Sequence, residues 1–187
     1  MLRRTVFLDR DGVINRAVVR DGKPYPPATL DAFEVLPGVR ETAKALRKAG
    51  FLIIVVTNQP DVATGLQQRD VVEAMHRQML VVGICDDVKV CYHTDADNCH
   101  CRKPKPGMLI EAAREWQIDL THSFMVGDRW RDVAAGKAAG CHTFFIDYQY
   151  REHCEDKPDA VVASLEEAGG LILKNLSTTG LRSGYST

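Results

Sequence analysis

The sequence predicts an α/β protein, a single domain in which a parallel sheet is flanked by helices. Three observations predict it. Short runs at 6–8, 51–56 and 123–126, apolar but for Ser123, lack the polar alternation of a half-exposed strand, which suits strands covered on both faces. Between them, stretches with apolar residues at three- and four-residue spacing read as helices, and strands alternating with such helices build a parallel sheet. The runs also end abruptly in polar residues, at Asp9, Thr57 and Gly127-Asp128. In open α/β sheets, ligands bind in the crevice beyond the carboxyl ends of the strands.

Bulk properties narrow the function classes. A chain of 187 residues suits one domain with a good core. At 45% hydrophobic and 26% charged, with a formal net charge of −1, nothing in the balance recruits nucleic acid or a membrane surface. No apolar run reaches the roughly 18 residues of a membrane span, and Met1-Leu2-Arg3-Arg4 opens no signal-peptide pattern. A cytoplasmic location is expected, with a monomer as the default. Three of the six cysteines fall within eleven residues beside a histidine, a pattern of metal binding rather than of disulfides.

In chain order, the strand at 6–8 delivers Asp9 and Asp11, two carboxylates that an extended backbone points the same way. Gly12 lets the chain turn sharply after them. Close carboxylates repel unless a cation lies between them, which suggests a hard ion such as Mg²⁺. Asp9 could then attack an electrophile while Asp11 shuttles a proton to the leaving group. A solvated Asp-rich turn would read the same from D-x-D alone. Residues 16–32, with Gly22, Pro24, Pro26 and Pro27 among charges, read as a loop over the crevice mouth. A helix is expected over 37–49, with Val39, Ala43 and Leu46 on one face and Gly50 as its stop.

The strand at 51–56 ends in Thr57-Asn58-Gln59, whose hydroxyl and amides can donate to phosphate oxygens without adding charge. Simple loop polarity also accounts for such a triplet. A helix over 67–82 turns Val71, Val72, Met75, Met79 and Val82 inward, the methionines as core filling; His76 takes no role. The strand 87–92 leads into Cys91, His93, Cys99 and Cys101, spaced C-x-H-x5-C-x-C. Two close pairs joined by a short loop can close a tetrahedral structural Zn²⁺ site of three thiolates and one imidazole. The alternative is a loop that merely contains these residues. His100 should point away from the metal, and Cys85, Cys141 and Cys154 read as isolated thiols. Arg102 and Lys103 follow at once, stiffened by Pro104 and Pro106, with Arg102 expected to face a second anionic group on the substrate.

A helix opens at Pro106 and runs through Leu109, Ile110, Ala113 and Trp116. The strand 123–126 ends at Gly127-Asp128-Arg129-Trp130-Arg131-Asp132, a carboxylate pair at four-residue spacing. A helix closed by Gly140, the strand 143–146, a polar loop over 147–158, a short strand at 160–162 and a last helix to about residue 174 complete the domain, 1–174. The Ser-, Thr- and Gly-rich segment 175–187 is expected to be disordered.

Phe7-Leu8-Asp9-Arg10-Asp11-Gly12-Val13-Ile14-Asn15 closely resembles the first motif of the haloacid dehalogenase-like phosphotransferases. Thr57, Lys103 and the Asp128/Asp132 pair resemble its second, third and fourth motifs, in the family's order, over roughly residues 5–174. The resemblance implies a Rossmann-like core with a zinc loop in place of a large cap domain, and a Mg²⁺-dependent phosphatase. It implies Asp9 as the nucleophile that becomes phosphorylated, Asp11 as general acid and base, and Thr57 and Lys103 on the phosphate. Mg²⁺ would lie on Asp9, the backbone carbonyl of Asp11 and Asp128, with Asp132 in support, while Asn58 and Arg129 would contact substrate. Asp-Arg-Asp-Gly-Val-Ile-Asn and Arg-Lys-Pro-x-Pro-Gly-Met look like the heptose bisphosphate phosphatases, which implies a small phosphorylated sugar losing its 7-phosphate. The five-residue gap between His93 and Cys99 looks like the histidinol-phosphate phosphatases, the alternative. From another class, the chain could be an inactive, zinc-stabilised binding module, against which the retained Asp9 and Asp11 argue. One segment departs from the heptose pattern: where Ser-Gly and then an Arg before the next Gly are usual, this chain has Pro60-Asp61-Val62-Ala63-Thr64-Gly65.

Overall fold

The computed structural model describes residues 2–152 and 155–179, the side chains of 175–179 excepted. Its strands are β1 (Arg4–Leu8), β2 (Val18–Arg20), β3 (Lys23–Tyr25), β4 (Phe51–Asn58), β5 (Asp87–Cys91), β6 (Phe124–Gly127), β7 (His142–Ile146) and β8 (Ala160–Val162). Its α-helices are α1 (Val39–Lys48), α2 (Arg69–Val81), α3 (Gly107–Trp116), α4 (Trp130–Ala139) and α5 (Leu165–Thr179). Six strands form one parallel sheet in the order β5-β4-β1-β6-β7-β8, as the strand–helix alternation predicts.

Side-chain alternation along the strands divides the core in two. Val6 and Leu8 of β1 and Ile53 and Val55 of β4 face a layer with Leu46 of α1, Met75 and Met79 of α2 and Ile172 of α5. Phe7, Ile54 and Val56 face the other side, where Met108, Leu109 and Ala112 of α3 and Ala135 of α4 cover them. The β1 and β4 runs therefore read as unbroken apolar stretches because both faces are dry.

Register sets the crevice. Leu8 pairs with Val55 on one side and Val126 on the other, so Asp9, Thr57 and Asp128 emerge together at the carboxyl ends of β1, β4 and β6. Asn58 pairs with Cys91, which places the start of the cysteine-rich loop beside them.

Several expectations are corrected. The segment 16–32 is not all loop: β2 and β3 form an antiparallel hairpin, turned by Asp21 (φ 51°) and Gly22 (φ 74°), the two left-handed positions of a tight two-residue turn. β4 continues past residue 56, so Thr57 is a strand residue hydrogen-bonded in the sheet. Val82 lies just past α2 and is exposed rather than inward. α5 passes residue 174 and reaches Thr179, with no Gly or Pro between 171 and 179 to stop it. Of the tail expected to be disordered, 180–187 lies outside the described residues, as does Cys154.

Candidate active site

The turn after β1 is built on the Arg10 carbonyl, which accepts from the backbone N–H groups of Val13 (3.4 Å), Ile14 (2.8 Å) and Asn15 (3.1 Å). Gly12 stands in it at φ 86°, and a Cβ there would fall 1.9 Å from Asp128 Oδ2. Only glycine satisfies both the backbone and that approach.

Asp9, Asp128 and Asp132 are buried, with one carboxylate oxygen of each within 4.8 Å of the others. Lys103, also buried, threads between them. Its Nζ donates to Asp9 Oδ1 (2.8 Å) and to the Val56 carbonyl (2.7 Å), and lies 2.6 Å from Asp132 Oδ1. Asn58 fixes the lysine's backbone, donating through Nδ2 to the Lys103 carbonyl (3.0 Å) and accepting at Oδ1 from the Lys103 N–H (3.1 Å). Asp132 Oδ2 accepts from the Arg129 N–H at the start of α4 (3.0 Å).

Burial raises the pKa of Asp9 to about 6; Lys103 works against it, and Asp132 and Asp11 work with it. Asp128 is raised well above the ordinary carboxylate value, first by burial and then by Asp9 and Asp132. Burial works to lower the pKa of Lys103, but Asp132 and Asp9 overcome it and hold the ammonium above its usual value. Three carboxylates thus crowd together with one ammonium, which meets only Asp9 and Asp132 of the three, and the buried Asp128 Oδ1 has no hydrogen-bond partner among the described residues. A buried cluster with excess negative charge and an orphaned oxygen fits a hard divalent cation bound through oxygen.

The Asp11 side chain points elsewhere. Its carboxylate accepts from Arg10 Nε and Nη2 (2.9–3.3 Å), Asn15 Nδ2 (2.9 Å) and Gln59 Nε2 (2.8 Å). Gln59 Nε2 also donates to Thr57 Oγ1 (3.0 Å). Asp9, Asp11, Thr57, Asn58, Lys103, Arg129 and Asp132 come together on one pocket of about 180 Å³, with Pro24 and Tyr25 of the hairpin and Pro60 and Asp61 at its rim. Arg102 is not among its lining residues. Its Nε donates to Asp95 Oδ1 (2.8 Å) and its Nη1 to the His93 carbonyl (3.2 Å), whereas Arg131, not singled out in the sequence, does line the pocket and also meets Asp95 (2.7 Å).

Sequence reasoning missed further contacts. Tyr150 donates through its hydroxyl to Asp128 Oδ2 (2.9 Å), and Tyr148 to the Gly12 carbonyl (3.0 Å). Arg10 and Gln59 were visible inside the motifs, yet only the fold reveals that both grip Asp11.

The cysteine-rich loop gathers as its spacing predicts. Cys101 Sγ lies 3.3 Å from Cys91 Sγ, 3.4 Å from Cys99 Sγ and 3.3 Å from His93 Nδ1, with Cys91 and Cys99 3.7 Å apart. Tetrahedral Zn²⁺ with bonds of about 2.3 Å needs sulfurs about 3.8 Å apart, so these four groups fit it. His100 is outside the group.

A HAD-hydrolase-like family model matches residues 100–168. The D-glycero-β-D-manno-heptose-1,7-bisphosphate 7-phosphatase of Rhodopseudomonas palustris is 39% identical over 154 residues, covering 76% of this chain and 82% of that one. The enzyme of the same name from Photorhabdus laumondii is 38% identical over 184 residues, covering 92% and 90%. Among solved structures, the D,D-heptose 1,7-bisphosphate phosphatase of B. bronchiseptica, complexed with magnesium and phosphate, matches with a TM-score of 0.79 at 29% identity, over 92% of this chain and 99% of that one. With its carboxylates and lysine gathered at the strand ends and with relatives this similar over most of its length, the chain belongs to the haloacid dehalogenase-like hydrolases, in the family of the heptose bisphosphate phosphatases.

Proposed function

We propose that this protein is a Mg²⁺-dependent phosphomonoester hydrolase that removes the 7-phosphate of D-glycero-D-manno-heptose 1,7-bisphosphate. The observation that carries the reading is the Asp9–Lys103 pair, buried against Asp128 and Asp132 at the base of a pocket that Asp11 also lines.

In the first step an Asp9 carboxylate oxygen attacks phosphorus in line, forming the O–P bond of an acyl phosphate as the bond to the sugar oxygen breaks. Asp11 gives its proton to that departing oxygen. In the second step Asp11 takes a proton from water as the water attacks phosphorus, the bond between phosphorus and the Asp9 oxygen breaks, and inorganic phosphate is released with the Asp9 carboxylate and the Asp11 proton restored. Lys103 Nζ, 2.8 Å from Asp9, and Thr57 face the transferring oxygens. Asn58 acts chiefly through the Lys103 backbone it holds. Asp9, Asp128 and the Asp11 main-chain carbonyl, with Asp132 in support, would hold Mg²⁺, which would supply neutralising charge for the phosphoryl oxygens. Arg129 and Arg131 line the pocket wall where a substrate's remaining polar groups arrive.

We assign structural Zn²⁺ to Cys91, His93, Cys99 and Cys101, since all four groups face one point and leave no open position. No described helix is long and apolar enough to cross a membrane, and we propose a cytoplasmic monomer acting on a free phosphorylated sugar.

The test is kcat/KM for heptose 1,7-bisphosphate and histidinol phosphate side by side, with Mg²⁺ and then with EDTA. The bisphosphate is expected to lead by about a hundredfold, roughly 2.7 kcal/mol of transition-state binding. A lead for histidinol phosphate would overturn the substrate, and EDTA-resistant turnover would overturn the metal. Mg²⁺-dependent hydrolysis of a simple aryl phosphate with neither substrate preferred would direct attention to the Pro60 to Gly65 segment. An inactive binding module would turn over none of them.

A further inference from the structure

Arg10 is 0% exposed, and a buried guanidinium is stable only where its donors are met. Its Nε and Nη2 fork onto the Asp11 carboxylate. Its Nη1 lies 3.2 Å from Nε2 of His76, which is buried on α2 beside Val72, Met75 and Met79. A guanidinium has donors and no acceptor, so Nε2 must accept, and the ring is then neutral with its proton on Nδ1. Burial, followed by the Arg10 charge, lowers the His76 pKa to about 3, so the acceptor form persists at neutral pH.

We propose that His76 is a positioning residue for proton transfer: by accepting from Arg10 it fixes the plane of the guanidinium that aims the Asp11 carboxylate. This rests on the reading of Asp11 as the general acid. The physical need is plain. Asp11 sits in a turn rather than in a strand, and its carboxyl must be aimed at the departing oxygen to be effective. Asn15 and Gln59 hold it from the turn and from the end of β4. The Arg10–His76 contact ties it to a helix packed in the core, across 66 residues of chain. With no acceptor at position 76, Nη1 would be left unmet in a buried site, and the fork on Asp11 would be free to tilt.

The test uses the leaving group as its readout. Departure of p-nitrophenolate needs no proton, whereas departure of a sugar alkoxide does. His76→Leu is expected to lower kcat/KM for heptose 1,7-bisphosphate about tenfold more than kcat/KM for p-nitrophenyl phosphate, and His76→Gln, whose amide oxygen can accept, to recover most of the difference. Asp11→Asn must show the same split, larger. If Asp11→Asn shows no split, the reading of Asp11 as acid fails. If Asp11→Asn splits the substrates and His76→Leu lowers both alike or neither, His76 is structural only and the proposal is overturned. Should His76→Leu not fold, His76→Met, which fills the space without a strong acceptor, takes its place with the same expected split.

Discussion

Asp128→Asn should stabilise the metal-free protein while abolishing its activity. Asp128, Asp9 and Asp132 bring carboxylate oxygens within 4.8 Å of one another in a buried site. One such pair of full charges repels by about 3 kcal/mol at an effective dielectric of about 20; Lys103 offsets part of this, and protonation relieves more. Asn is nearly the same shape. Its carbonyl can accept from Tyr150, as Asp128 Oδ2 does, and its NH₂ can occupy the place of the unpartnered Oδ1 and donate to a neighbouring carboxylate. A gain of about 1–3 kcal/mol follows, or about 2–10 °C in Tm for a chain of this size. Thermal melts in EDTA and in excess Mg²⁺ measure it. The wild type should rise with Mg²⁺, by about 2.7 kcal/mol at a hundred times its Kd, and Asp128→Asn should not. The pH dependence has a definite sign. Folding raises the pKa of Asp9 to about 6 and that of Asp128 well above the ordinary value, so the folded protein binds more protons between those values and the unfolded carboxylate value near 4. In EDTA the wild type should therefore lose stability from these groups as pH rises from about 4 to 6 and beyond, with a shallower loss for Asp128→Asn. A destabilised Asp128→Asn in EDTA would refute the claim that excess buried negative charge makes this a cation site.

Asp9→Asn should abolish turnover with no loss of fold; surviving activity in a rapid-quench assay would end the covalent mechanism. Cys99→Ser with Cys101→Ser should release about one Zn per chain by elemental analysis, and a metal-free, fully folded and active protein would contradict the structural site. Tyr150→Phe removes the hydroxyl that donates to Asp128 Oδ2, and metal titration should show Mg²⁺ held about tenfold less tightly. Gly12→Ala places a Cβ 1.9 Å from Asp128 Oδ2 in a left-handed turn; a loss of about 2–4 kcal/mol by denaturant unfolding is expected, and wild-type stability would show that the turn relaxes freely.

Much of the site was legible because its chemistry sits at the ends of apolar strands and is local in sequence. Asp9 and Asp128 follow, and Thr57 closes, runs that read as buried strands, and parallel pairing then brings them together. The cysteine-rich loop was readable for the same reason, its ligands lying within eleven residues. Contacts that bridge distant segments were not. Tyr148 reaches the Gly12 carbonyl across 136 residues, and no periodicity encodes that. The β2–β3 hairpin had its signal in Asp21-Gly22, but its strands are three residues each and largely exposed, so no alternation announces them. Arg102 and Arg131 show the limit of reading charge from order alone. Both meet Asp95, and only the folded loop decides which of them lines the pocket.

On the proposed mechanism, that arrangement separates the bond-breaking groups from the groups that choose the substrate. The pocket holds about 180 Å³, below the roughly 300–1,000 Å³ of sites that engulf a whole ligand. It can enclose a phosphoryl group and the atoms next to it, while the rest of a bisphosphate sugar must lie against the rim. The floor is Asp9, Thr57 and Asp132 with Lys103, held by strands and a helix start whose packing fixes them. The rim is Pro24, Tyr25, Pro60 and Asp61 on one set of segments and Arg129 and Arg131 on another. Asp61 stands where the heptose pattern has glycine, adding a negative charge to a rim whose two guanidiniums are each already paired, Arg129 with Glu152 and Arg131 with Asp95. A second phosphate therefore gains from the arginine side and is opposed from the Asp61 side, so selectivity depends on how far apart these are held. Asp95 sets the arginine side: it binds Arg131 at the rim and Arg102 behind it, which hold its carboxyl well below the usual range, and it belongs to the loop between His93 and Cys99. The cysteine-rich loop thus meets the pocket through one carboxylate and one guanidinium, and its backbone leads from Cys101 directly to Lys103, whose ammonium holds Asp9.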